Sequence, residues 1–210
     1  MKGQEVRESL RNTYDGLSQE WGKDFSLHDW GVRELGKFTE LVKEAGGKRV
    51  LDLGCASGVQ SELLVAAGLE VTGVDISPGM IKEAAKRVPQ AKFMTADIAS
   101  LPFKEEEFDG IYARASLLHI PKDEIEEVLV SLASLLVPGG YFYMAVKEGV
   151  GEGEFEDTKH GRRVKRFYSL YQEKELRNLL EESGFEIIDI DKHQRLGGST
   201  IWIQVLGKKD

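Results

Sequence analysis

Cysteine is almost missing from this chain. Cys55 stands alone among 210 residues, which excludes an internal disulfide and a cysteine-based zinc site. Long apolar runs are also missing. None approaches the roughly 18 residues that cross a bilayer, and the opening MKGQEVRESLRNTYDGL has no apolar core of a signal peptide. The expectation is a cytoplasmic protein with no membrane contact. Positive charge is in deficit, with 28 Lys and Arg against 36 Asp and Glu and a formal net charge of -8. An acidic surface repels phosphates, which argues against broad nucleic-acid binding and leaves small molecules as partners. Oligomeric state has no signature here. What is present, 41% hydrophobic and 30% charged residues, suits one globular α/β domain with a real core.

Periodicity divides the chain. Val6, Leu10, Tyr14, Leu17 and Trp21 recur at helical steps, and a second helix covers Val32 to Ala45, ended by Gly46 and Gly47. Short apolar strands then alternate with helices: strand Arg49 to Leu53, helix Gly58 to Ala67, strand Glu70 to Val74, and a helix opened by Ser77 and Pro78. Strands Ala91 to Thr95 and Phe108 to Ala113 follow. Asp123 with Glu126 reads as a capping box for the next helix, and Pro138, Gly139 and Gly140 turn into a strand over Tyr141 to Val146. This alternation predicts right-handed βαβ units and a parallel sheet. After a helix over Gln172 to Ser183, the runs Phe185 to Asp191 and Ile201 to Leu206, joined through Gly197 and Gly198, predict a hairpin and an antiparallel last strand. Gly149 to Tyr171 breaks the rhythm. It is rich in Gly and Glu, then basic at His160, Arg162, Arg163, Lys165 and Arg166, and reads as a long loop, of the kind that is functional or mobile.

Chemistry concentrates where strands end. Val50-Leu51-Asp52-Leu53-Gly54-Cys55-Ala56-Ser57-Gly58 is a strand, a tight loop of small residues and a helix start. Small residues let a ligand approach the backbone, and free N–H groups at the helix start favour an anionic group. Asp75, about 20 residues beyond the glycine loop, suits the two hydroxyls of a ribose. Asp97 can accept a hydrogen bond from an exocyclic amine such as that of adenine. Each feature alone also fits a solvated strand end or a turn cap; the ordered set is more specific than its parts.

These residues resemble the class I S-adenosylmethionine-dependent methyltransferases, especially the small-molecule subgroup called type 11. The resemblance is strong from Val50 to Val146. It rests on Leu51 to Gly58, Val71-Thr72-Gly73-Val74-Asp75-Ile76-Ser77, Ala96-Asp97-Ile98, Phe108-Asp109 and Val137-Pro138-Gly139-Gly140, with Ser183-Gly184-Phe185 beyond. It implies a Rossmann-like three-layer sandwich, with a seven-stranded, mostly parallel sheet whose last strand is antiparallel. It divides a single 1–210 domain into a helical cap (1–45), a cofactor-binding core (46–148), a candidate substrate lid (149–171) and a C-terminal helix and hairpin (172–210). The implied cofactor is S-adenosylmethionine, with S-adenosylhomocysteine as product. By resemblance, Asp52 and Gly54 lie under its methionine portion, with Cys55, Ala56 and Gly58 completing the loop. Asp75 holds the ribose, Asp97 and Ile98 bracket the adenine, and Ile76 and Met80 pack on its face. Arg114 to His119 line the mouth, and Tyr14 and Trp21 are candidates to close over the cofactor as an N-terminal lid, with ordinary helix packing as their alternative role. Ala56 replaces a glycine common in the family, at a steric cost if that position needs positive φ.

Methyl transfer is an in-line displacement driven by orientation, so catalytic residues need not form a motif. His119 is the candidate base, with packing near the mouth as its alternative role. Arg162, Arg163 and Tyr168 are candidate substrate contacts for an anionic group, with a solvated surface loop as the alternative. Two other functions stay open: a non-catalytic binder of the same cofactor, and a nicotinamide-dependent oxidoreductase. The latter expects G-x-G-x-x-G, where this chain has Ala56 at the second glycine.

Overall fold

The computed structural model describes residues 3–23, 32–194 and 199–210. A seven-stranded sheet has the order β3-β2-β1-β4-β5-β9-β8. Its strands are β1 (Arg49–Leu53), β2 (Glu70–Asp75), β3 (Lys92–Thr95), β4 (Phe108–Arg114), β5 (Leu136–Lys147), β8 (Phe185–Gln194) and β9 (Ile201–Lys209). Pairing from β3 through β5 is parallel, whereas β9 runs antiparallel to both β5 and β8. The antiparallel strand therefore lies inside the sheet, and β8 forms the edge. Val50, Leu51 and Leu53 of β1 are fully buried, as a central strand covered on both faces requires.

Helices α1 (Gly3–Gly22), α2 (Val32–Glu44), α3 (Val59–Ala66), α4 (Pro78–Arg87), α5 (Ile125–Leu135) and α6 (Glu173–Glu182) fill the two outer layers and the rim. Leu35, Phe38 and Val42 of α2 pack with Val50, Tyr112 and Tyr143 on one face. Leu129, Leu132, Leu176 and Leu180 pack with Leu51, Ile111 and Phe142 on the other. Ser77 caps α4 as its spacing predicts, accepting from the Met80 amide at 3.0 Å, with Pro78 in the first turn. No helix among the described residues is long and apolar enough to cross a membrane.

Three local expectations change. The segment 149–171 is not a loop: β6 (Glu152–Lys159) and β7 (Arg162–Ser169) form an antiparallel hairpin. Its two-residue turn, His160 and Gly161, has φ of +50° and +76°, the left-handed pair that matches strand twist. The strands escaped notice because β6 is almost wholly polar and exposed, so no apolar alternation marks it. Asp123 does not cap α5; Glu124 holds the N-cap position without a side-chain cap bond, and its carboxylate instead takes Arg7 at 2.5 Å. Strand β5 begins at Leu136, before the Pro138-Gly139-Gly140 turn, and its pairing with β4 slips between Phe108 and Gly110. The expected turn at Gly197 and Gly198 lies outside the described residues.

Gly110 shows how tightly α2 sits on β4. A Cβ built there would lie 2.8 Å from Phe38 Cζ and 2.9 Å from Val42 Cγ2. Gly110→Ala is expected to cost about 1–3 kcal/mol through overpacking. Chemical denaturation checks it, and an unchanged midpoint would contradict the close approach.

Candidate active site

At the C-terminal rim of the parallel strands lies a cavity of about 440 Å³, a size suited to a small organic ligand. Its floor comes from strand tips: Gly54 and Ala56 after β1, Asp75 and Ile76 after β2, Asp97 and Ile98 beyond β3, and Arg114, Ser116 and His119 after β4. Gly54 has φ +74°, and a Cβ there would stand 2.4 Å from Ser116 Cβ. Glycine is thus required by both backbone and space.

Asp75 shapes two loops at once. Its carboxylate accepts from the Ala56 amide at 3.0 Å and the Ser77 amide at 2.9 Å. Ala56 has φ +46°, so the positive φ anticipated for this position is present, carried by alanine and held by the Asp75 bond. Burial raises Asp75 to about 6 against the two amides. Asp52 lies beneath, off the cavity wall, accepting from Ser61 Oγ at 2.5 Å, and burial raises it to about 7.

The roof has two parts. From α1 come Arg7, Leu10, Tyr14 and Trp21; from the hairpin come Asp157, Lys159, Arg166 and Tyr168. Val6, Leu10 and Phe167 form a small apolar cluster joining the two. A polar chain runs beside it. His119 Nδ1 lies 2.7 Å from the Phe167 carbonyl, which only accepts, so Nδ1 carries the proton. Nε2 then accepts from the Tyr14 hydroxyl at 2.7 Å, and Arg166 donates to the same hydroxyl at 3.2 Å while pairing with Asp157. Burial lowers His119 to about 3. Both ring nitrogens are engaged, so His119 positions Tyr14 and is not a free base. Arg7 pairs with Asp97 at 3.0 Å, and Asp15 accepts from Ser77 Oγ at 2.5 Å and the Gly79 amide at 2.8 Å, fixing α1 to the start of α4.

The sequence expectations divide accordingly. Tyr14, Trp21, Gly54, Ala56, Asp75, Ile76, Asp97, Ile98, Arg114, His119 and Tyr168 meet at the cavity. Met80 and Cys55 are buried away from it, and Gly58, with φ +81°, is the N-cap residue of α3. Arg163 is exposed and falls on the strand face opposite Tyr168 by period-two alternation. Arg162 sits at the hairpin tip, donating to the Gly16 carbonyl at 2.6 Å. Lys147 and Trp202 are wall residues that the sequence reading does not name, and Arg166, the last residue of its basic run, lies on the wall with them. Lys147 ends β5 and Trp202 is its register partner on β9; the rule that ligands gather at strand C-termini marks the first.

Residues 50–140 match a family of methyltransferase domains. An O-methyltransferase of Aspergillus sclerotiorum is 28% identical over 171 residues, 75% of this chain and 61% of that protein. Trans-aconitate 2-methyltransferase of Methylobacterium nodulans is 36% identical over 139 residues, 60% of this chain and 53% of that protein. The chain thus spans about half to three fifths of these relatives. A Burkholderia thailandensis 1,6-didemethyltoxoflavin-N1-methyltransferase, solved with 1,6-didemethyltoxoflavin and S-adenosylhomocysteine bound, has the same fold: TM-score 0.76 and 24% identity, covering 100% of this chain and 91% of that one.

The buried acids give a pH prediction. Both fold with pKa values above the ordinary carboxylate value of 3.8, so their contribution is complete below that value and is lost as pH rises through about 6 and about 7. Asp109 is no confounder: against the push of burial, Arg49 and two amides hold it at about 2. His119, lowered by burial to about 3, works in the opposite sense as pH rises towards its usual 6.5, so the two acids' loss between about pH 4 and 7 is read from the difference between the unaltered chain and a variant lacking one of them. Asp52→Asn should flatten that fall and stabilise the protein at alkaline pH by on the order of 1 to a few kcal/mol. Thermal melts across pH check it, and parallel profiles for both proteins would refute it.

Proposed function

We propose that the chain, whose residues 50–140 match a methyltransferase domain family, is a class I S-adenosylmethionine-dependent methyltransferase that moves the methyl group of S-adenosylmethionine to a small-molecule acceptor and releases S-adenosylhomocysteine. The observation that carries this reading is Asp75. It is a buried carboxylate at the tip of β2 on the cavity wall, and each oxygen is oriented by one backbone amide. A carboxylate has about four lone-pair sites, so two remain for the vicinal hydroxyls of a ribose.

The surrounding residues fit the rest of such a ligand. Ile76 and Ile98 offer apolar walls to a purine, and Asp97, shared with Arg7, faces its amine. Gly54 leaves the backbone open to the amino-acid tail. Ser116 Oγ, on the same wall, is buried with no hydrogen-bond partner among the described residues, which suits a polar ligand group. The bound cofactor supplies an electrophilic methyl on a sulfonium; the chain supplies orientation and exclusion of water. Tyr14 and Trp21 from α1, with Tyr168 from the hairpin, cover the reacting region, so 149–171 and α1 together act as the lid. Unpaired Cys55 suits a reducing compartment, and we infer a cytoplasmic setting.

Calorimetry with S-adenosylhomocysteine tests the reading. Asp75→Ala should weaken binding about a hundredfold or more, because two hydrogen bonds to a charged acceptor are lost. Affinity near that of the unaltered chain would refute the ribose role. Absence of heat, melting shift and methyl transfer in the unaltered chain would refute the function.

A further inference from the structure

Lys147, Lys159 and Arg166 line the cavity wall formed by β5 and the hairpin, and Asp157 lies among them. Asp157 is already committed: Arg166 pairs with it, and Lys159 lies 3.9 Å away. Lys147 is left over. Its ammonium makes no hydrogen bond or ion pair among the described residues. It sits 3.5 Å from the centroid of the Tyr168 ring and 6.0 Å from that of Trp202. Tyr168 is 3% exposed, and its hydroxyl is buried with no partner among the described residues. A half-buried cation and a buried hydroxyl donor thus stand side by side on one cavity wall without an acceptor, and the unmatched buried donor is costly.

We propose that the methyl acceptor is a small oxyanion, a carboxylate or an ionised phenol, whose charge is held by the Lys147 ammonium and the Tyr168 hydroxyl. This rests on the methyltransferase reading above and names the substrate class of that site. Trp202, on the same cavity wall, gives the anion's planar body an aromatic surface to lie on. The same class explains why the site can work without an available base. His119, beside Tyr168 with ring centroids 5.1 Å apart, has its free lone pair taken by Tyr14, and Asp157 is ion-paired. A neutral hydroxyl or an ammonium would need one of them to remove a proton. An oxyanion does not. Its lone pair forms the O–CH3 bond while the S–CH3 bond breaks, and that electron pair stays on sulfur. Anion and sulfonium become a neutral ester or ether and a neutral thioether, and no proton moves. Burial lowers Lys147 to about 8, so the ammonium form is still the main one at neutral pH.

The test uses the full chain and two readouts. Benzoate, cinnamate and 4-nitrophenolate are compared with benzamide, cinnamamide and benzylamine, by calorimetric binding with and without S-adenosylhomocysteine and by transfer of labelled methyl from S-adenosylmethionine. The anions should be preferred by about tenfold to a hundredfold, the range of one or two charge-assisted hydrogen bonds. Lys147→Met, of similar length, should erase that preference while keeping S-adenosylhomocysteine affinity within about twofold. Lys147→Arg should restore it in part, and Tyr168→Phe should reduce it without abolishing it. If the two neutral amides or the cationic benzylamine bind or react as well as the anions, or Lys147→Met keeps the preference, the proposal is overturned. Failure of S-adenosylhomocysteine to bind overturns the functional reading instead, while the benzoate titrations of the unaltered and Lys147→Met chains still decide whether the anion site exists.

Discussion

The carboxylate of Asp75 is the constraint on which the site depends. One buried side chain holds the amide of Ala56, in a backbone conformation that L-residues seldom adopt, and the amide of Ser77, which caps α4. Ser77 in turn donates to Asp15 of α1. The loop after β1, the start of α4 and the placement of the N-terminal helix are thus tied to a single group at the tip of β2. Its raised pKa records the cost of burial, which a ligand hydroxyl pair or a cationic ligand would offset.

The roof is built differently from the floor. The floor is continuous with the sheet core. The roof is two elements far apart in sequence, α1 and the β6–β7 hairpin, held together by three apolar residues and a chain of polar contacts from Asp157 through Arg166 and Tyr14 to His119. Few buried apolar contacts and many side-chain hydrogen bonds describe a region that opens at lower free energy than the core beneath it. Histidine there serves geometry: its protonated nitrogen reads a hairpin carbonyl and its bare nitrogen reads a helix tyrosine.

What could be read from the sequence follows from how each feature is encoded. The parallel core was legible because buried strands are apolar runs with glycine-bearing loops between them, and Asp75, Asp97 and Gly54 sit at fixed places relative to those runs. The hairpin was not, because an exposed, polar β6 carries no apolar period; only His160-Gly161 hinted at its turn. Arg162 and Arg163 drew notice as part of a basic run, yet strand alternation and the tip position take both off the cavity wall and leave Arg166 and Tyr168 on it. Lys147 and Trp202 are neighbours only through β5–β9 pairing, a long-range register that no local pattern states.

Cys55 lies in the loop after β1, beside the cavity-lining Gly54 and Ala56, yet its thiol is buried. It packs where Gly73 leaves room, and a Cβ on that glycine would come within 3.0 Å of the sulfur. Burial pushes the thiol well above its usual pKa, so it stays protonated, and thiolate is the form that alkylating agents attack. Under the proposed function, the chain's one thiol is thereby kept from competing with the acceptor for an activated methyl group.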